Sequence, residues 1–252
     1  MTDSGATERA SEQMGDLEKF FRFGEHRLIH KPPSYFPIYE RHFQRFRNRP
    51  VNMLEIGVFH GGSLQMWKDY LGPEARIWGV DVDERTKQFE EDQITVCIGH
   101  QSDRDFLRKL MSELPEIDIV LDDGGHRMDE QIISFEEIYP HVASDGVYAC
   151  EDIGTSYWPS YGGGYLKKDT WIEYTKSLMD RLNAAGGLSA PEVADSGLGR
   201  LFGSLNPWSS KPPAVDAFTR STWSMSCYES MVVFERRPRV DLATEKIGEP
   251  SF

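Results

Sequence analysis

The run Leu121-Asp122-Asp123-Gly124-Gly125-His126 and the pair Glu151-Asp152 hold the most concentrated chemistry in this chain. Asp123, Glu151 and Asp152 offer hard oxygen ligands. With one histidine and no cysteine ligand beside them, such a set suits Mg²⁺ or Mn²⁺ better than Zn²⁺. A cation held there makes a bound alcohol more acidic. His126 is then placed to take the proton, because an unperturbed imidazole titrates near neutral pH. Neighbouring side chains at a strand end point in opposite directions, so Asp122 and Asp123 are assigned different ligands, a cofactor and a metal. The plain alternatives are solvated loop carboxylates and a solvent-facing histidine at a helix start.

These residues need two adjacent strand tips to meet, and the sequence provides the strands. Apolar runs over 117–121 and 147–150 read as buried strands that end at the two acidic clusters. Further strands are predicted over 52–56, 76–80 and 94–98. Helices are predicted between them over 63–71, 84–91, 103–112 and 129–139, with Ser63 as an N-cap. Strands alternating with helices in this way specify an α/β fold with a mostly parallel sheet covered on both faces. Upstream, helices are expected over 16–29 and 36–46, broken by Lys31-Pro32-Pro33. Downstream, residues 154–168 read as loop and 170–184 as helix. Segments 214–226 and 230–236 read as a C-terminal antiparallel strand pair. Residues 1–50 are read as a tail and helical extension and 51–240 as the catalytic domain. That domain carries lid or acceptor insertions near 154–170 and 186–213, and 241–252 forms a C-terminal tail.

The 252 residues suffice for one well-buried domain. A formal charge of −13 argues against nucleic acid and against anionic membranes as partners. No apolar run reaches membrane-spanning length, and the polar first 16 residues lack a signal-peptide core. Three scattered cysteines, Cys97, Cys150 and Cys227, read as free thiols. A cytoplasmic compartment is the expectation.

The first strand leads into Leu54-Glu55-Ile56-Gly57-Val58-Phe59-His60-Gly61-Gly62-Ser63. Glycines such as Gly57 and Gly61 let backbone approach a ligand at a helix N-terminus. Phe59 breaks the dinucleotide fingerprint. Glu55 suits a cationic cofactor, such as a sulfonium carrying an amino-acid tail. Asp81, at the end of the second strand, is placed to take two ribose hydroxyls. Gln101 and Ser102 follow the third strand, where an adenine edge could sit. The stretch from Tyr157 to Tyr165, with Trp158 between, reads as an aromatic lid over substrate, against the plain alternative of an ordinary surface loop.

The order L-E-I-G-x-x-x-G-G-S, G-V-D, L-D-D-G-x-H, then E-D with T-S-Y-W resembles the deoxysugar O-methyltransferases of antibiotic biosynthesis, macrolide and rhamnosyl enzymes among them. Cephalosporin-hydroxylase-type proteins are relatives of that family. The resemblance runs from about residue 51 to 158. It implies a class I methyltransferase, Rossmann-like fold, S-adenosylmethionine as donor and Mg²⁺ as cofactor. It further implies Asp123, Glu151 and Asp152 as metal ligands, His126 as general base and Asp81 as the ribose acid. Glu55 and Gly57 would lie at the methionine end. The expected activity is transfer of a methyl group to a sugar hydroxyl of a glycosylated natural product. Three rivals are an NAD-dependent oxidoreductase, a metal-dependent hydrolase and an accessory protein on a methyltransferase fold. The aromatic N-terminal helices, with no obvious domain to cover, lead to the expectation of a homo-oligomer.

Overall fold

The computed structural model describes residues 14–188, 215–238 and 247–249. Residues 1–13, most of the second insertion and most of the expected C-terminal tail lie outside these residues. A seven-stranded sheet organises the described chain. Its strands are β1 (Asn52–Ile56), β2 (Arg76–Asp81), β3 (Ile94–Ile98), β4 (Ile117–Asp122), β5 (Val142–Cys150), β6 (Thr222–Tyr228) and β7 (Met231–Arg236). Their spatial order is β3-β2-β1-β4-β5-β7-β6. The first five run parallel, and β7 lies antiparallel between β5 and β6. The mostly parallel sheet and its antiparallel C-terminal pair are therefore as expected.

The winding direction reverses between β1 and β4, and ligands in open α/β sheets bind outside the strand ends at such a reversal. Register carries the two acidic clusters to that point. Ile56 sits opposite Asp122, and Asp122 opposite Cys150. The ladder continues past the strand ends. Gly57 N–H donates to Val80 O (2.8 Å), Asp123 N–H to Ile56 O (3.0 Å) and Glu151 N–H to Asp122 O (2.9 Å). The backbones of Gly57, Asp123 and Glu151 are thus tied side by side.

One sheet face is covered by α4 (Arg104–Glu113), α5 (Met128–Ile138), α6 (Trp171–Leu188) and the short α7 (Ala217–Ser221). The other is covered by α1 (Asp16–Phe23), α2 (Phe36–Phe43) and α3 (Gly62–Leu71). The N-terminal aromatics are part of this second layer. Tyr39 and Phe43 set ring edges against Trp67 at 5.1 and 5.6 Å, and all three are buried. Burying each such side chain stabilises the fold by about 1.5–3 kcal/mol. Tyr35, Phe36, Tyr39, Phe43 and Phe46 are thus buried within the chain itself, while Phe23 stays 62% exposed.

Several local expectations differ from the structure. The first helix ends at Phe23, because an extended Gly24 caps it and the chain turns into a strap over residues 24–32. Residues Glu84–Phe89 form a 3₁₀ helix. Ser63 is not an N-cap: Gly61, at φ 73°, occupies that position, and the Ser63 hydroxyl turns inward. The first half of the predicted strand 214–226 holds α7, where Asp216 and Thr219 form a reciprocal capping box. Asp103 caps α4 by accepting from the amides of Asp105 and Phe106.

The strap crosses the start of α3 at van der Waals distance. A methyl group on Gly62 would stand 2.3 Å from Arg27 O and 2.6 Å from Leu28 O. Gly62→Ala should therefore displace the strap and cost about 1–3 kcal/mol, as overpacking does. Thermal unfolding would measure the cost. Hydrogen exchange should report faster opening confined to residues 24–32, with the sheet unchanged.

Candidate active site at the strand tips

The strap, the 3₁₀ turn Pro33–Tyr35 that follows it, and α2 deliver three donors to the acidic tips. Lys31 Nζ lies 2.6 Å from Asp123 Oδ2, 2.8 Å from Glu151 Oε1 and 3.9 Å from Glu55 Oε1. Tyr39 donates to the same Glu151 oxygen. Tyr35 donates to Asp152 Oδ1 at 2.7 Å. Lys31, Glu55 and Glu151 are all buried, with side chains 2%, 0% and 1% exposed. Burial lowers the Lys31 pKa, but Asp123, Glu151 and Glu55 outweigh it and hold the ammonium above its usual range. Burial raises the Glu151 carboxyl well above its usual value, the Asp123 charge adds to this, and Lys31 opposes it. Glu55 is pushed up to about 7, mainly by desolvation.

The opposite oxygens of Asp123 and Asp152 turn toward His126. Its Nε2 is 3.8 Å from Asp123 Oδ1 and 3.4 Å from Asp152 Oδ2. Ligand atoms of Asp123, His126 and Asp152 all lie within 4.8 Å of one another. Glu151 stands outside that close group, held by Lys31 and Tyr39. His126 and Asp152 both adopt left-handed backbone, at φ 56° and 52°. Strain of this kind in non-glycine residues concentrates at functional sites. His126 Nδ1 is buried without a hydrogen-bond partner, and Glu55 Oε1 has the Lys31 ammonium only at 3.9 Å. The donor set suits a hard divalent ion, and these atoms fit a site built for further polar ligands.

Two adjoining cavities of about 280 and 200 Å³ meet at Gly57, Phe59, Asp123 and Gly124. The larger one is lined by Asp81, Gly99, His100 and Gln101 as well, and the smaller by Lys31, Ser63, His126 and Asp152. Gly57, at φ 93°, is required for this: a Cβ there would sit 2.0 Å from Asp123 O. Ser63 donates to Glu55 Oε2 at 3.0 Å beneath the smaller cavity. Asp81 Oδ2 accepts from the amides of Val58 and Phe59, which braces the glycine turn.

Gly61, Ser102 and Asp122, expected to touch cofactor, line neither of these two cavities. Gly61 packs against Phe89. The Ser102 hydroxyl pairs with His100 Nδ1. Asp122 is fully buried, with one oxygen accepting from Gln101 and the other from Tyr148. Tyr157, Trp158 and Tyr165 are exposed by 50%, 55% and 80% on the surface after Asp152, with the Tyr157 and Tyr165 rings 6.4 Å apart. Neither cavity includes them. Lys31, Tyr35 and Tyr39 escaped the sequence reading altogether. The run from Lys31 to Tyr35 signalled only a helix break, and Tyr39 fell within the helix predicted over 36–46.

The strand order, the antiparallel β7 and the crevice at the β1/β4 tips define a class I methyltransferase fold. Residues 54–153 match a family model described as a methyltransferase domain. Over 178 residues the chain is 38% identical to the 8-demethyl-8-(2-methoxy-alpha-L-rhamnosyl)-tetracenomycin-C 3'-O-methyltransferase of Streptomyces olivaceus, covering 63% of this chain and 45% of that protein. It is 39% identical over 158 residues to the demethylmacrocin O-methyltransferase of Streptomyces fradiae, covering 59% and 40%. The chain thus spans less than half the length of these curated relatives. Among solved structures it resembles the MycE methyltransferase of the mycinamycin biosynthetic pathway in complex with Mg, SAH and mycinamycin VI. The TM-score is 0.70 at 26% identity, over 94% of this chain and 59% of that one. The match is to sugar O-methyltransferases of macrolide and tetracenomycin biosynthesis, the family that the motifs resemble.

Asp122 gives this site a measurable pH signature. Desolvation pushes its carboxyl up to about 7, against 3.8 for the free group. The folded state thus holds a proton that the unfolded state releases between these values. Stability falls as pH rises through that window, then levels above 7, with a cost of up to about 4 kcal/mol. Asp122→Asn removes the titration. Urea unfolding should find the variant gaining on the parent between pH 5 and pH 8, with a gap that does not widen further above pH 8.

Proposed function

We propose that this chain transfers a methyl group from S-adenosylmethionine to a hydroxyl on the sugar of a glycosylated natural product, with Mg²⁺ or Mn²⁺ bound at the strand tips. One observation carries the reading: Asp123, His126 and Asp152 converge within 4.8 Å at the meeting of two cavities. The similarity to rhamnosyl and macrolide O-methyltransferases supports the reaction class and the kind of acceptor.

In this reading the larger cavity takes the adenosine end of the donor, with Gln101 at the base edge and Asp81 at the ribose. The smaller cavity takes the methionine end, over Ser63 and the buried Glu55. Glu55 places a carboxyl beneath a donor whose sulfonium is positive, a charge that favours the ionised form of that carboxyl. Asp123 and Asp152 would hold the divalent ion, with Glu151 behind them. When bound, that ion lowers the pKa of an alcohol beside it and fixes the alcohol's position. His126 Nε2, facing the same two carboxylates, takes the hydroxyl proton. The acceptor oxygen gains the methyl group, and S-adenosylhomocysteine is released. Orientation of the two substrates supplies much of the rate. The exposed Tyr157, Trp158 and Tyr165 offer apolar faces to the acceptor's sugar or polyketide portion.

Calorimetric titration of S-adenosylmethionine and S-adenosylhomocysteine, with NAD as control and with Mg²⁺ or EDTA present, tests the cofactor. Binding of both sulfur compounds and not NAD is expected; binding of NAD alone would replace this reading with an oxidoreductase. Product analysis on rhamnosylated and macrolide acceptors tests the reaction. His126→Ala should bind S-adenosylhomocysteine as the parent does and lose about 10²–10⁴ in kcat. A variant with normal turnover removes His126 from the role of base.

A further inference from the structure

The N-terminal strap brings a fixed positive charge into a site read as a divalent-cation site. Lys31 Nζ binds Asp123 Oδ2, while Asp123 Oδ1 faces His126 Nε2 at 3.8 Å. The ammonium thus binds directly to one carboxylate of the close group, on the oxygen turned away from His126. The ammonium also holds Glu151 and approaches Glu55. Its side chain is 2% exposed, so water screens it little. No ligand role needs a lysine here, since an ammonium has only donors to offer. A neutral donor such as the Tyr35 hydroxyl orients Asp152 without adding charge.

We propose that Lys31 is a specificity-determining residue that sets which charge of cation the strand-tip site accepts, disfavouring trivalent relative to divalent ions. This rests on the metal-site reading above. The physical basis is that a fixed unit charge repels a bound ion in proportion to that ion's own charge. The repulsion lowers the affinity for every cation and lowers it most for the highest charge. A neutral side chain at position 31 removes that bias. The carboxylates contribute the attraction, and Lys31 trims it to the level of a dication. Residues 24–32 thus act as more than a cover for α3, since they carry the charge that tunes the site.

The test uses the full chain and two probes, Mn²⁺ followed by electron paramagnetic resonance and Tb³⁺ followed by sensitised luminescence. The readout is the ratio of Tb³⁺ to Mn²⁺ affinity. Lys31→Met and Lys31→Gln should each raise that ratio about tenfold or more, with both ions binding more tightly than in the parent. Lys31→Arg, which keeps the charge, should leave the ratio within about threefold of the parent. A ratio unmoved in both neutral variants overturns the proposal while leaving the metal site itself intact. Failure of the parent to bind either ion overturns the metal reading and this inference together. If a neutral variant folds only with cation present, the ion concentrations that restore its circular dichroism give the same ratio. A variant that stays unfolded with both ions saturating assigns Lys31 a structural role and also overturns the proposal.

Discussion

The ammonium of Lys31 among the carboxylates of Asp123, Glu151 and Glu55 is the interaction on which the architecture of the site depends. Buried charge is tolerated when partners and hydrogen bonds compensate its lost hydration. Here the parallel ladder forces Asp123 and Glu151 together, and β1 adds Glu55 beneath them. Without a cation from elsewhere in the chain these acids would share a dry pocket with like charges only. The strap supplies that cation. In doing so it fixes the path of residues 24–32, and this path in turn demands a glycine at Gly62.

The same donors sort the carboxylate oxygens by direction. Lys31, Tyr35 and Tyr39 take one oxygen each from Asp123, Asp152 and Glu151. For Asp123 and Asp152, the other oxygen faces His126. Partners behind the ligands of a metal ion commonly fix orientation in this way. Such a supporting layer works only if it is rigid, and here it rests on buried aromatics. Tyr39 packs on Trp67, and Tyr35 packs against Tyr39 with ring centroids 6.2 Å apart. Packing of the N-terminal layer and electrostatics of the site are thus one construction.

The fold also explains why two acids in sequence have separate fates. At the end of β4, Asp122 points into the α4/α5 layer, where Gln101 and Tyr148 satisfy it, and Asp123 points into the crevice. The alternation of a strand predicts that divergence. It does not say which side holds ligand. Gln101 joins the two sides, since its amide donates to Asp122 while its carbonyl oxygen accepts from Gly125 N–H in the glycine loop. A structural carboxylate thereby helps hold the loop that carries His126.

Sequence by itself determined the alternating strands and helices, the parallel sheet and the glycine turn; it read Asp123, Glu151 and Asp152 as one ligand set beside His126, whereas the structure groups Asp123, His126 and Asp152 and ties Glu151 to Lys31 and Tyr39. The sequence readings follow from hydrophobic periodicity and from residues within a few positions of a strand end, which are local signals. Ser102 and Asp122 were read from proximity to such ends, and proximity does not reveal which way a side chain turns. The partners of Glu151 lie 112 and 120 positions away, at Tyr39 and Lys31. No periodicity encodes a contact of that separation. Only the tertiary structure, by laying the strap across α3, decided that the N-terminal segment would complete the site, because charge compensation in a buried cluster depends on what folding brings near and not on what lies adjacent in the chain.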